Sequence, residues 1–252
     1  MLSLYSLVAL ASLLTFAIAF LLIYLRIERG GRAPTLRPLT GIASLRAVAD
    51  QAIEEGQALH LALGSGSLSD LTAAETAMGL VVLDSIAEQA NRTGQSAIVT
   101  TADPVSQLLA ADQLRQQQAG RGENPLTGAR FVAPQPAAYG AGTRGMMQRE
   151  RLGVSVLVGH FGEEYLFLAE ERPGGSLPIH QPELAATAQV ETLPLVYLTA
   201  KRPVLGEEIF ALGAYLTRWP SHLAGVVLQD LGRIIVIVAI VVGIVLRAAG
   251  AF

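Results

Sequence analysis

The sequence predicts an α/β fold: a Rossmann-like layered domain with a mainly parallel sheet, flanked by N- and C-terminal transmembrane helices. Three observations predict it. Both ends are uncharged apolar runs; between them, short β-like runs alternate with amphipathic stretches; and only 15% of residues are charged, at a mean hydropathy of +0.44. An ordinary globular domain is nearer a quarter charged, so part of this chain belongs in lipid. The predicted division is residues 1–26 as a transmembrane helix and 27–40 as a juxtamembrane linker. Residues 41–222 follow as a cytoplasmic α/β domain, and 223–252 as a juxtamembrane segment with the second transmembrane helix.

The first span rests on residues 2–25, which carry no charge and at about 1.5 Å per residue clear a hydrocarbon core of roughly 30 Å. A cleaved signal peptide would need a basic n-region and a shorter apolar run, so an uncleaved anchor is expected. The second span rests on the uncharged block 234–246, which is short alone. Arg233 and Arg247 can snorkel to an interface at either side, and 248–252 adds apolar length. Arg26, Arg29, Arg32 and Arg37 after the first span, with Arg218 and Arg233 before the second, place the domain in the cytoplasm of a two-pass plasma-membrane protein. Both termini then lie outside. Neither span carries an intramembrane ionisable residue, which weakens a transporter reading.

Between the spans, residues 45–55 read as an amphipathic helix closed by Gly56, and 58–63 as a strand entering the turn Gly64-Ser65-Gly66-Ser67. A helix follows from Thr72 to about Ala90, with Thr72 and Glu75 spaced as a capping box. Residues 96–101 read as a strand; Asp103-Pro104 then supplies an N-cap and a first-turn proline for a helix to about Gln117. Residues 121–128 read as a loop and 130–133 as a short third strand. Gly140, Gly142 and Gly145 make 137–151 a poor helix, although Met146 and Met147 can pack. Residues 154–158 form the clearest strand, apolar throughout as in a sheet covered on both faces. Gly162-Glu163-Glu164 opens a helix; 176–180 and 193–199 read as strands around an alanine-rich helix from about Glu183; Gly206-Glu207-Glu208 opens a last helix to about Leu216. Such alternation argues for a parallel sheet with helices on both faces.

The runs LHLALGSGSL, IVTTADP, VSVLVGHFGEE and LVYLTAKRPVLGEEIFALGAYL resemble those of an uncharacterised family of bacterial membrane proteins, common in the Chloroflexota and known only as a domain of unknown function. The resemblance spans nearly the whole middle domain and the second anchor. It implies architecture, and no activity or catalytic residue comes with it.

Composition narrows the chemistry. Residues 33–222 hold 13 Lys and Arg against 19 Asp and Glu, a formal balance of −6, which offers no footprint for nucleic acid or anionic lipid. The absence of cysteine removes thiol catalysis and iron–sulfur ligation, and Lys201 is the single lysine. No P-loop, GxSxG elbow or HExxH occurs. His180 and His222 have no partner at metal-ligand spacing, and no cofactor or metal is expected.

Ligands of open α/β sheets sit outside the carboxyl ends of the strands. Those ends gather Gly64, Ser65, Gly66 and Ser67, then Thr100, Thr101 and Asp103, then Gly159, His160 and Glu163. The turn matches only the first two glycines of GxGxxG, and no acid follows the next strand at the spacing that reads a ribose. Two functions are therefore expected. The first is a non-enzymatic scaffold, anchored in the lipid bilayer and assembling as a homo-oligomer or with a membrane complex. The alternative is a ligand-binding or enzymatic domain that holds a nucleotide or other anionic metabolite through Gly64, Ser65, Gly66, Ser67, Thr100, Thr101 and His160. It requires Ser65, Thr101 and His160 to face one pocket.

Overall fold

The computed structural model describes residues 4–30, 36, 58–93, 97–117, 128–150, 152, 154–169 and 182–248. The chain divides into two compact units, one of residues 1–37 with 217–252 and one of residues 38–216. The helix expected at 45–55 and the strand expected at 176–180 lie outside the described residues. So does the loop at 121–128, except for Gly128.

The larger unit is built on six strands, β1 Leu59–Gly64, β2 Ala97–Thr101, β3 Ala129–Phe131, β4 Val154–His160, β5 Leu184–Thr187 and β6 Pro203–Leu205. All pairings are parallel, in the order β3-β2-β1-β4-β5-β6. This is a doubly wound order, in which the direction of strand addition reverses between the two central strands, β1 and β4. The helices are α1 Leu4–Glu28, α2 Ala73–Thr93, α3 Pro104–Gln117, α4 Pro136–Glu150, α5 Tyr165–Ala169, α6 Leu193–Thr199, α7 Glu208–Leu216 and α8 Pro220–Ala248.

Strand alternation divides the core in two. Leu59, Leu61 and Leu63 point to one face, where they meet apolar residues of α2, α3 and α7. Ala62, Ile98 and Leu157 point to the other, against Tyr139 and Met146 of α4, Tyr165 of α5 and Val196 of α6. Burial on both faces explains why β1, β2 and β4 read as apolar runs.

Three expectations are corrected. Residues 136–150 form a regular helix despite their glycines, because Gly140 is where α4 meets α5: a Cβ there would stand 2.9 Å from the Glu164 carbonyl oxygen. The alanine-rich stretch after Glu183 is β5, every residue buried, and residues 193–199 are α6 rather than a strand. Pro194 marks that error, since proline suits a helix's first turn and removes a ladder hydrogen bond from a strand. β6 went unread.

The smaller unit contains α1 and α8, of 25 and 29 residues, which pack together. By length and composition each is apolar enough to cross a membrane, and their most apolar windows are unburied. The expected thirteen-residue block is thus the second half of one longer helix.

Candidate functional site

Two glycines shape the carboxyl ends of the central strands. Gly64 ends β1 at φ +82°, and a Cβ there would lie 1.9 Å from the His160 carbonyl oxygen; Gly159 stands at φ +149°, where a Cβ would lie 2.1 Å from the Leu63 carbonyl oxygen. Only glycine allows both the backbone conformation and so close an approach. The β1–β4 register shifts between Ala62 and Gly64, and the Ser65 N–H donates to the His160 carbonyl at 3.0 Å. The switch point of the sheet is therefore a tightly drawn junction of Gly64, Ser65 and His160.

Ser65 donates its hydroxyl to Oε1 of Glu164, which precedes α5. Glu164 is fully buried, and its Oε2 has no hydrogen-bond partner. Gly162 borders that oxygen: a Cβ at residue 162 would stand 3.1 Å from it. A buried carboxyl oxygen left without a donor costs on the order of 1–3 kcal/mol or more, so a group bound there recovers a large interaction.

On the other side of the junction, Glu75 in the first turn of α2 accepts hydrogen bonds through Oε2 from the Thr187 hydroxyl at 3.3 Å and the Ala188 N–H at 3.4 Å. His160 Nδ1 lies 3.6 Å from the same oxygen, too far for a formed hydrogen bond, and the two form an ion pair when the imidazole is protonated. Glu75 raises the His160 pKa above its ordinary value, outweighing partial burial, with Glu164 and Asp70 adding to the rise. Hydrogen bonds from the Thr72 hydroxyl and N–H lower the Asp70 carboxyl in turn. Thr72 spans no capping box; its hydroxyl accepts the Ser67 N–H and donates towards Asp70.

The expected site residues separate into two groups. Gly64, Ser65, Gly66 and His160 meet at the junction, and Ser67 adjoins it through Asp103 Oδ1, at 3.1 Å. Asp103 also caps α3 as expected, its Oδ2 accepting the N–H and hydroxyl of Ser106. Thr100 is reached only through Tyr139: its hydroxyl contacts His60 Nε2 at 3.0 Å and the Tyr139 hydroxyl at 3.2 Å, which in turn accepts the Gly64 N–H at 3.3 Å, in a buried network that Ser155 completes on His60 Nδ1. Thr101 is fully buried, its hydroxyl accepting the Asp103 N–H, so of the three residues that the anionic-ligand alternative requires in one pocket only Ser65 and His160 meet, and that alternative does not hold as stated.

A dinucleotide does not fit this junction. In that motif the second glycine lets the pyrophosphate approach bare backbone. Here the Cβ position of Gly66 already lies within 2.8 Å of Thr76 Oγ1, Thr72 Oγ1 and the His160 Cβ. Asp70 and Glu75 occupy the start of α2, where a phosphate would have used the helix dipole. Elsewhere, Ala137, Leu166, Phe167, Ala169, Thr199 and Glu163 line an open cavity of about 590 Å³, nearly all apolar, which gathers none of this polar chemistry.

Glu75 and Glu164 were missed from the sequence because each has a local explanation as a helix-start acid. The only available hint for Glu164 was its position four residues beyond His160, just past the best strand.

The model of a family described as Domain of unknown function (DUF6754) matches residues 3–252. No curated protein and no solved structure matches the chain.

Proposed function

This chain belongs to the DUF6754 family, whose description assigns no activity, and from its own geometry we propose a membrane-anchored module that binds a small ligand in the crevice between β1 and β4. One observation carries the reading: Ser65 and Glu75 of the β1–α2 stretch meet His160 and Glu164 of the β4–α5 stretch at the switch point, and the fully buried Glu164 Oε2 is left without a partner. Such junctions are where open α/β sheets take ligands.

The anchors support tethering. α1 and α8 expose apolar side chains along most of their length, which water would disfavour and lipid would not. Arg26 and Arg29 at the inner end of α1 favour a cytoplasmic domain with both termini outside. Among the described residues the Ser65 hydroxyl is engaged with Glu164 rather than with His160, and the reading proposed is of binding.

The scaffold reading stands second, on a different observation. Val105, Leu108 and Leu109 are exposed at helical spacing on α3, a stripe suited to a second copy or to a membrane-complex partner.

Native mass spectrometry of the full chain, released from its own membranes in mild detergent, tests the first reading. A small-molecule adduct on the wild type that is lost in Gly162→Ala is expected. Identical bare masses for both would count decisively against it.

A further inference from the structure

The crevice reading has a chemical consequence, and resting on it we infer that the ligand is a small organic cation, bound through an N–H donor to Glu164 Oε2. Three features select that class. The first is the acceptor itself. Ser65 fixes Oε1 and orients the carboxyl group, while Oε2 is buried without a partner and would be satisfied by a group that donates a hydrogen bond. A Cβ at residue 162 would stand 3.1 Å from that oxygen, so a side chain there would press on the position a ligand donor must take.

The second is the field. Glu164, Glu75, Asp70 and Asp103 gather around the strand ends, and His160 is the one basic side chain of this cluster among the described residues. Even with His160 protonated the acids outnumber it, and in a partly desolvated crevice such an excess draws in a cation and repels phosphate or carboxylate. Lys201 and Arg202, near in sequence to β6, are engaged with Glu183.

The third is that the backbone features which would recognise an anion are already filled, and His160, the one basic side chain here, faces Glu75. Asp70 accepts the Thr72 N–H at the start of α2, and Gly66 is walled in by Thr72, Thr76 and the His160 Cβ. The same glycine-rich turn that suggests phosphate in the sequence is closed to it in the fold. An ammonium or guanidinium, with several N–H donors and a charge opposite to the cluster, matches what remains.

Thermal unfolding of the full chain in a neutral detergent tests the class, with ethanolamine, putrescine and agmatine on one side and inorganic phosphate and ADP on the other. At least one amine is expected to raise Tm by several degrees at millimolar concentration. Glu164→Gln, which turns an N–H₂ towards the ligand, and Gly162→Ala, which fills its space and keeps the charge, should both abolish the shift. A shift from phosphate or ADP that both variants remove would overturn the cationic class and leave the crevice reading intact. No shift from any probe, with Glu164→Gln as stable as the wild type, would overturn the class and the crevice reading together.

Discussion

His60 sits in the middle of β1 with Nδ1 on Ser155 and Nε2 on Thr100, and burial pushes its pKa down to about 3. The unfolded chain protonates this imidazole near pH 6.5 and the folded chain does not, so between those values the unfolded state binds the extra proton. Stability contributed by His60 is whole above pH 6.5 and falls by about 1.4 kcal/mol per pH unit on acidification through that window. His160 has the opposite sign: its raised pKa gives stability below pH 6.5 that is lost as pH rises through the folded value. Denaturant melts from pH 4 to 8 should therefore show an acid limb that His60→Asn flattens, and an alkaline limb that Glu75→Gln flattens. An unchanged acid limb in His60→Asn would remove His60 as its cause. His60 was legible as a strand residue and not as the centre of a network, because its partners lie 40 and 95 positions away.

At the scale of elements, propensity and packing pull α4 in opposite directions. Gly145 has only an ordinary contact with Arg149 Nη1 at 3.7 Å where a Cβ would stand, so Gly145→Ala should stabilise by about 0.5–1 kcal/mol through the unfolded chain's lost freedom. Gly140→Ala should destabilise despite the same propensity gain, since its Cβ would meet the Glu164 carbonyl oxygen at 2.9 Å and Phe167 Cδ2 at 3.0 Å. Chemical denaturation of the two variants checks the sign, and equal shifts would refute the close-approach explanation. The same contest explains what was legible. α2, α3 and α7 carry their periodicity and start residues in the sequence. Leu184–Thr187, by contrast, is alanine-rich and becomes a strand only because β4 and β6 flank it and its side chains are buried on both faces. β6, of three residues, is too short to show a period at all.

For the whole molecule, the parallel α/β plan and the two terminal helices were readable because both are long-range consequences of simple patterns: apolar length and strand–helix alternation. Tethering through α1 and α8 predicts that the chain stays in the membrane pellet after alkaline carbonate washing. Release into the supernatant would refute integral anchoring. The ligand site was only half readable. Strand ends located Ser65 and His160, but the acids that give the crevice its character reach it from helix starts whose local role concealed them. The most direct test of a ligand at the switch point is an experimental density map of the full chain, purified from its own membranes without added ligand. The account predicts density larger than a water in hydrogen-bond contact with Glu164 Oε2, beside Gly162. A single water there, or a protein group closing onto that oxygen, would contradict it.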